Sequence, residues 1–86
     1  MTKIEIYSKS YCPYCKRAKA TLSRLGLDFE EFEITDSEKL TKEMQQRSGE
    51  KTVPQIFINK QHIGGGDDFH HALNSGALSD LMGKPI

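Results

Sequence analysis

The sequence predicts an α/β fold: a four-stranded mixed sheet flanked by helices, in the order β-α-β-α-β-β-α. Strand-like runs recur at "KIEIY", "DFEEFEI", "QIFI" and "HI", and apolar residues at helical spacing fill the gaps between the first three. The last two runs are separated only by "NKQ", which reads as a hairpin turn. With 86 residues the chain has room for one domain, 1–86, and a small core.

The elements follow in order. Ile4 and Ile6 alternate with polar neighbours and make a first strand. Pro13 suits a first helical position, Cys15, Ala18, Leu22 and Leu25 share one helical face, and Gly26 suits a left-handed stop, so a helix is expected over 13–25. Phe29, Phe32 and Ile34 mark a second strand whose acidic residues suit a sheet edge. Thr35 and Glu38 have capping-box spacing, which predicts a helix over 36–48 with Leu40 and Met44 inward and Gly49 at its end. Residues 56–58 and 62–63 form the hairpin strands, and Asp67 is expected to cap a helix bearing Phe69, Ala72 and Leu73 and stopped by Gly76. Leu78, Leu81 and Met82 add one further turn. A crossover through a helix makes the first two strands parallel, whereas the hairpin is antiparallel.

Charge narrows the function classes. Lysine plus arginine and aspartate plus glutamate number 12 each, so the balance points to neither nucleic acid nor an anionic membrane. The distribution is uneven, because Lys3, Lys9, Lys16, Arg17, Lys19 and Arg24 face only Glu5 in residues 1–27. "MTKIEIYSKS" has no apolar signal core and no window is apolar enough to span a bilayer, so a cytoplasmic protein is expected. In that reducing compartment a structural disulfide across a two-residue gap is disfavoured.

Both cysteines lie in "CPYC", residues 12–15. With Pro13 first in its helix, Cys12 is the N-cap, where free backbone amides of Tyr14 and Cys15 point at its sulfur. Those amides, the helix dipole, Lys9 and Lys16 all favour a thiolate, which makes Cys12 the nucleophile. Cys15, a turn inward on the apolar face, is the resolving thiol, desolvated and within the roughly 4.4–6.8 Å Cα separation that a disulfide needs. A zinc site is the rival, but Cys12, Cys15, His62, His70 and His71 lack paired-ligand spacing. The histidines read as surface or hydrogen-bonded residues, and no metal is expected.

Three separated motifs, "CPYC" at 12–15, "TVPQIFI" at 52–58 and "HIGGGDD" at 62–68, resemble the glutaredoxins, in particular the small bacterial dithiol type. The likeness spans nearly the whole chain. It implies the thioredoxin fold, glutathione as co-substrate, a redox disulfide between Cys12 and Cys15, and glutathionylated proteins or protein disulfides such as those of ribonucleotide reductase as partners. A monomer is the default. Taken alone, Pro54 favours a trans bond; the resemblance implies a cis Val53–Pro54 bond facing the CPYC helix, with Thr52 and Val53 holding the cysteinyl part of glutathione. Gly64, Gly65 and Gly66 read either as a flexible turn or as a close approach for a ligand. By the resemblance, the Gly66 and Asp67 amides take the γ-glutamyl carboxylate and Asp67 or Asp68 takes its ammonium. Lys9, Tyr14 and Lys51 line the opposite side, with the lysines toward the glycine carboxylate, although Tyr14 also reads as cover for apolar surface. One departure stands out: the family often has cysteine or serine where this chain has Gly66, so a side-chain contact and a third thiol are lost while the backbone contact remains.

Two other readings share these residues. A redoxin recharged by a flavoprotein thioredoxin reductase has the same cysteines but no need of Lys51, Thr52 and "GGGDD". A carrier of an iron-sulfur cluster bridging two subunits uses the first cysteine with glutathione, and its relatives show a "CGFS"-like motif in place of "CPYC".

Overall fold

A computed structural model describes residues 2–83. In chain order the elements are β1 (Ile4–Ser8), α1 (Pro13–Arg24), β2 (Glu30–Glu33), α2 (Glu38–Ser48), β3 (Gln55–Ile58), β4 (Gln61–Gly64), α3 (Gly66–Ser75) and α4 (Ala77–Met82). The strands order as β2-β1-β3-β4, with β1 parallel to β2 and antiparallel to β3, and β3 antiparallel to β4. The acidic strand β2 lies at one edge, as its composition predicts. The Leu78–Met82 turn is a separate six-residue helix, α4, beyond the seven elements of the expected order.

Alternation along the two central strands divides the core. Ile4, Ile6, Ile56 and Ile58 face α1, α3 and α4, where they meet Ala18, Leu22, Phe69, Leu78 and Met82. Tyr7 and Phe57 face the other way, toward Ile34 and Met44. The residues between the isoleucines of β1 are therefore not solvent-facing, as their polarity suggests. Glu5 is only 7% exposed, and Arg47 of α2 explains it. The guanidinium spans the carboxylate at 3.1 and 3.3 Å, donates to the Tyr7 hydroxyl at 2.9 Å, and lies 4.0 Å from the centre of the Phe57 ring. Tyr7 in turn donates to Glu43 at 2.7 Å. Among the described residues no buried side-chain nitrogen or oxygen lacks a partner.

Two caps differ from expectation. Ser37, rather than Thr35, caps α2, accepting from the Leu40 amide at 3.2 Å. The Thr35 hydroxyl is engaged elsewhere, by the Ser10 amide at 3.0 Å. At α3 the N-cap is Gly65 and not Asp67, and the Asp68 carboxylate reaches back to the Gly65 amide at 3.2 Å. Leu25 serves as C-cap of α1 and is half-buried, and Gly26 follows at φ 71°, the left-handed stop.

Arg47→Ala leaves the Glu5 carboxylate buried without a cation, so the expected cost is about 2–3 kcal/mol, read as a lower urea midpoint. The double variant Glu5→Gln/Arg47→Met is expected to lose less than Arg47→Ala alone, because no charge is then stranded.

Candidate active site

The loop from β1 to α1 is short and anchored at both ends. The Ser8 carbonyl accepts from the Ile34 amide at 2.8 Å, and Lys9 to Cys12 close a turn through the Cys12 amide and the Lys9 carbonyl at 3.2 Å. Cys12 then stands as N-cap of α1 in extended conformation, φ −88° and ψ 112°. Its sulfur accepts from the Cys15 amide at 3.3 Å. Pro13 occupies the first helical position, where the missing N–H costs nothing. The Cys12 thiol points across to the Val53 carbonyl at 3.8 Å, in the loop before β3. The Val53–Pro54 peptide is cis, the isomer implied by the resemblance and not the one that proline statistics favour.

The two sulfurs have different surroundings. Cys12 is 8% exposed and Cys15 is 0% exposed, packed beneath it on the inner face of α1. Burial, helped by the hydrogen bond with Cys12, pushes the Cys15 thiol up to about 12. Cys15 is therefore a neutral thiol at any physiological pH.

Beside the sulfurs runs a cleft of about 220 Å³ lined by Tyr14, Thr52, Val53, Pro54, Gly65, Gly66, Asp67 and Asp68. Eight candidate residues from three distant motifs thus converge. Tyr14 stands at the rim, 61% exposed. The N–H groups of Gly66, Asp67 and Asp68 open α3 with no carbonyl of an earlier turn to receive them, so they are available to an anion. Lys9 and Lys51 do not line this cleft. Lys51 is exposed, and the Lys9 ammonium lies 5.8 Å over the Tyr11 ring. Of the histidines weighed as metal ligands, His62 bonds to Gln55 and His70 to Gly66 and Thr21, while His71 is exposed. Among the described residues no three His, Cys, Asp or Glu side chains cluster as a metal site.

Gln55 is the residue that sequence reasoning passed over. Buried at the start of β3, it donates to the Thr52 carbonyl at 3.1 Å and the Thr52 hydroxyl at 3.2 Å, and its side-chain oxygen is 2.7 Å from His62. It ties the Thr52–Pro54 loop to the sheet. The available signal was a lone polar side chain beginning an otherwise apolar strand.

The glutaredoxin family model matches residues 4–63. The chain belongs to the glutaredoxin family. It is 50% identical over 82 residues to glutaredoxin 3 of Escherichia coli K12, a match that covers 95% of this chain and 99% of that protein. The solution structure of glutaredoxin from Brucella melitensis aligns with a TM-score of 0.80 at 46% identity, over 94% of this chain and 88% of that one. A buckwheat glutaredoxin–glutathione complex aligns with a TM-score of 0.83 at 30% identity, over 93% and 76%. The sheet and its helices are thus the thioredoxin fold, and this glutaredoxin is a glutathione-dependent disulfide oxidoreductase. No helix among the described residues is long and apolar enough to cross a membrane.

A thiol with a raised pKa stays protonated and unreactive until the pH approaches that value. In the folded protein, iodoacetamide between about pH 7 and about pH 9 is expected to label Cys12 and leave Cys15 free, whereas in urea both are labelled. Peptide mass spectrometry reads the sites.

Proposed function

We propose that this glutaredoxin reduces glutathione mixed disulfides through Cys12 alone and protein disulfides through Cys12 and Cys15 together. The observation that carries the reading is the sulfur of Cys12, fed by the Cys15 amide at the start of α1 and aimed at Val53, a residue of the adjoining cleft.

In the first route the Cys12 thiolate attacks the glutathione sulfur of a mixed disulfide. A Cys12–glutathione disulfide forms, the substrate S–S bond breaks, and the substrate leaves as its thiolate. A second glutathione thiolate attacks the glutathione sulfur held on Cys12, so oxidised glutathione departs and the Cys12 thiolate is restored. Thr52 and Val53 hold the cysteinyl part of the tripeptide as an added strand does. The γ-glutamyl carboxylate meets the free amides of Gly66 and Asp67 at the start of α3. Asp68 is already engaged with the Gly65 amide, which leaves Asp67 for the ammonium. Lys9 and Lys51 supply cations for the glycine carboxylate, with Lys9 swinging away from the Tyr11 ring.

In the second route Cys12 attacks a protein disulfide, such as that of ribonucleotide reductase. Cys15 loses its proton as it attacks Cys12, the Cys12–Cys15 disulfide closes, and both substrate sulfurs leave reduced. Glutathione then reopens the bridge. A reducing cytoplasm sustains both routes, and a monomer suffices for each.

Cys15→Ser is expected to keep turnover of a glutathionylated peptide within about threefold of the wild type and to abolish reduction of a protein disulfide. Cys12→Ser is expected to lose both by at least about a thousandfold. The assay couples glutathione to its own reductase. Turnover supported by thioredoxin reductase and not by glutathione contradicts the reading.

A further inference from the structure

One side chain that this chemistry does not use joins the two helices that flank the cleft. His70 of α3 has Nδ1 at 2.7 Å from the Gly66 carbonyl oxygen and Nε2 at 3.0 Å from the Thr21 hydroxyl of α1. The Thr21 hydroxyl also lies 3.0 Å from the Arg17 carbonyl oxygen. A carbonyl oxygen only accepts, so Nδ1 carries a proton. Thr21 has a single hydroxyl hydrogen. When that hydrogen goes to Arg17, Nε2 must donate as well, and the ring is an imidazolium. In a neutral ring Nε2 accepts, the hydroxyl hydrogen turns to it, and the Arg17 carbonyl loses that bond. Only the cationic ring satisfies all three contacts together.

The pinned atom belongs to the cleft. Gly66 opens α3 and stands between the two opposite walls: a Cβ placed on it would lie 3.6 Å from Pro54 and 3.9 Å from the Cβ of Tyr14. A shift of the first turn of α3 therefore changes the cleft width and the aim of the Gly66 and Asp67 amides.

We propose that His70 is a positioning residue that fastens the first turn of α3 to α1 through Thr21, and that the fastening is complete only when the ring is protonated. The proposal rests on the reading of the cleft as the glutathione site. The charged side chains and histidines on α3 and on the elements packed against it are Asp67, Asp68 and His71 of α3, Lys16, Arg17, Lys19 and Arg24 of α1, His62 of β4 and Asp80 of α4. Among the described residues, the ring's hydrogen-bond partners are Gly66 and Thr21 and none of these side chains.

The probe is S-methylglutathione, which has no thiol to titrate. Its inhibition constant is measured for the wild type, His70→Ala, Thr21→Val and the double variant between about pH 5.5 and about pH 8. The wild type is expected to weaken by about threefold as pH rises. His70→Ala is expected to bind about fivefold more weakly than the wild type at the acid end and to show no such slope. The double variant is expected to be no weaker than the weaker single variant. Equal affinity of the wild type and His70→Ala throughout, or the same slope in both, overturns the proposal. The pin also has a readout that needs no ligand. Both ring N–H protons of His70 are expected to exchange slowly enough to be seen by NMR at about pH 5.5, unlike those of exposed His71, and their absence overturns the pin even if the ligand binds. A wild type that does not bind S-methylglutathione, with both ring protons visible, removes the glutathione reading and leaves the pin standing.

Discussion

Strand β1 is hydrogen-bonded on both sides and buried along its whole length, so the chain that leaves Ser8 can only turn over the end of the sheet and start a helix. The turn takes Lys9 to Cys12, and α1 opens immediately after it. The first amides of a helix have no carbonyl to receive them, and here the side chain set to meet them is a sulfur. A serine or aspartate cap in such a place stabilises a helix by about 1 kcal/mol. Here the acceptor is a thiol sulfur, and the Cys15 amide donates to it at 3.3 Å. The place of Cys12 at the helix start is in that sense a consequence of where β1 ends.

The rest of the site is carried by the neighbouring strand. Because β3 pairs with β1 in antiparallel register, Ile6 opposite Ile56 and Tyr7 opposite Gln55, the residues before β3 arrive beside the end of β1. That brings Val53 to Cys12, and Gln55 holds Thr52 in place by two hydrogen bonds. Strand β4 then delivers Gly64 to α3, at φ 124° and with no room for a Cβ against Asp68. Three strand ends thus supply the thiol, the loop and the helix start from one side of the sheet. The contrast between the cysteines comes from the same geometry: one helical turn separates a sulfur 8% exposed beside the cleft from one sealed entirely in the core.

Much of this is legible in the sequence because the signals are local. Pro13 and Gly26 bracket α1, "NKQ" marks the hairpin, and alternating isoleucines mark β1. Pro13 as the first helical residue made Cys12 the cap. The misread features depend on partners far along the chain. Thr35 has the spacing of a cap, yet its hydroxyl is taken by Ser10, 25 residues earlier, and Ser37 caps instead. Glu5 entered only as a polar neighbour of Ile4 and Ile6, and Arg47, some 40 residues away, meets it in the interior with a charge of its own. Gln55 was invisible as a clamp because its target is defined only once the loop folds back. As glutathione contacts Lys9 and Lys51 entered by resemblance alone, and the packing of Lys9 against Tyr11 is a local preference that no motif encodes.

The central claim is that the cleft beside Cys12, and not another depression, receives glutathione. A larger hollow of about 490 Å³ lies at the opposite end of β1, lined by Thr2, Ile4, Gly26, Leu27, Asp28, Asn59 and Met82. Chemical-shift mapping of the reduced, ¹⁵N-labelled protein with glutathione separates the two directly. Shifts concentrated at Tyr14, Thr52, Val53 and Gly65 to Asp68 are the expected result. Shifts at Gly26, Leu27 and Asn59 with the Cys12 side silent would contradict the account.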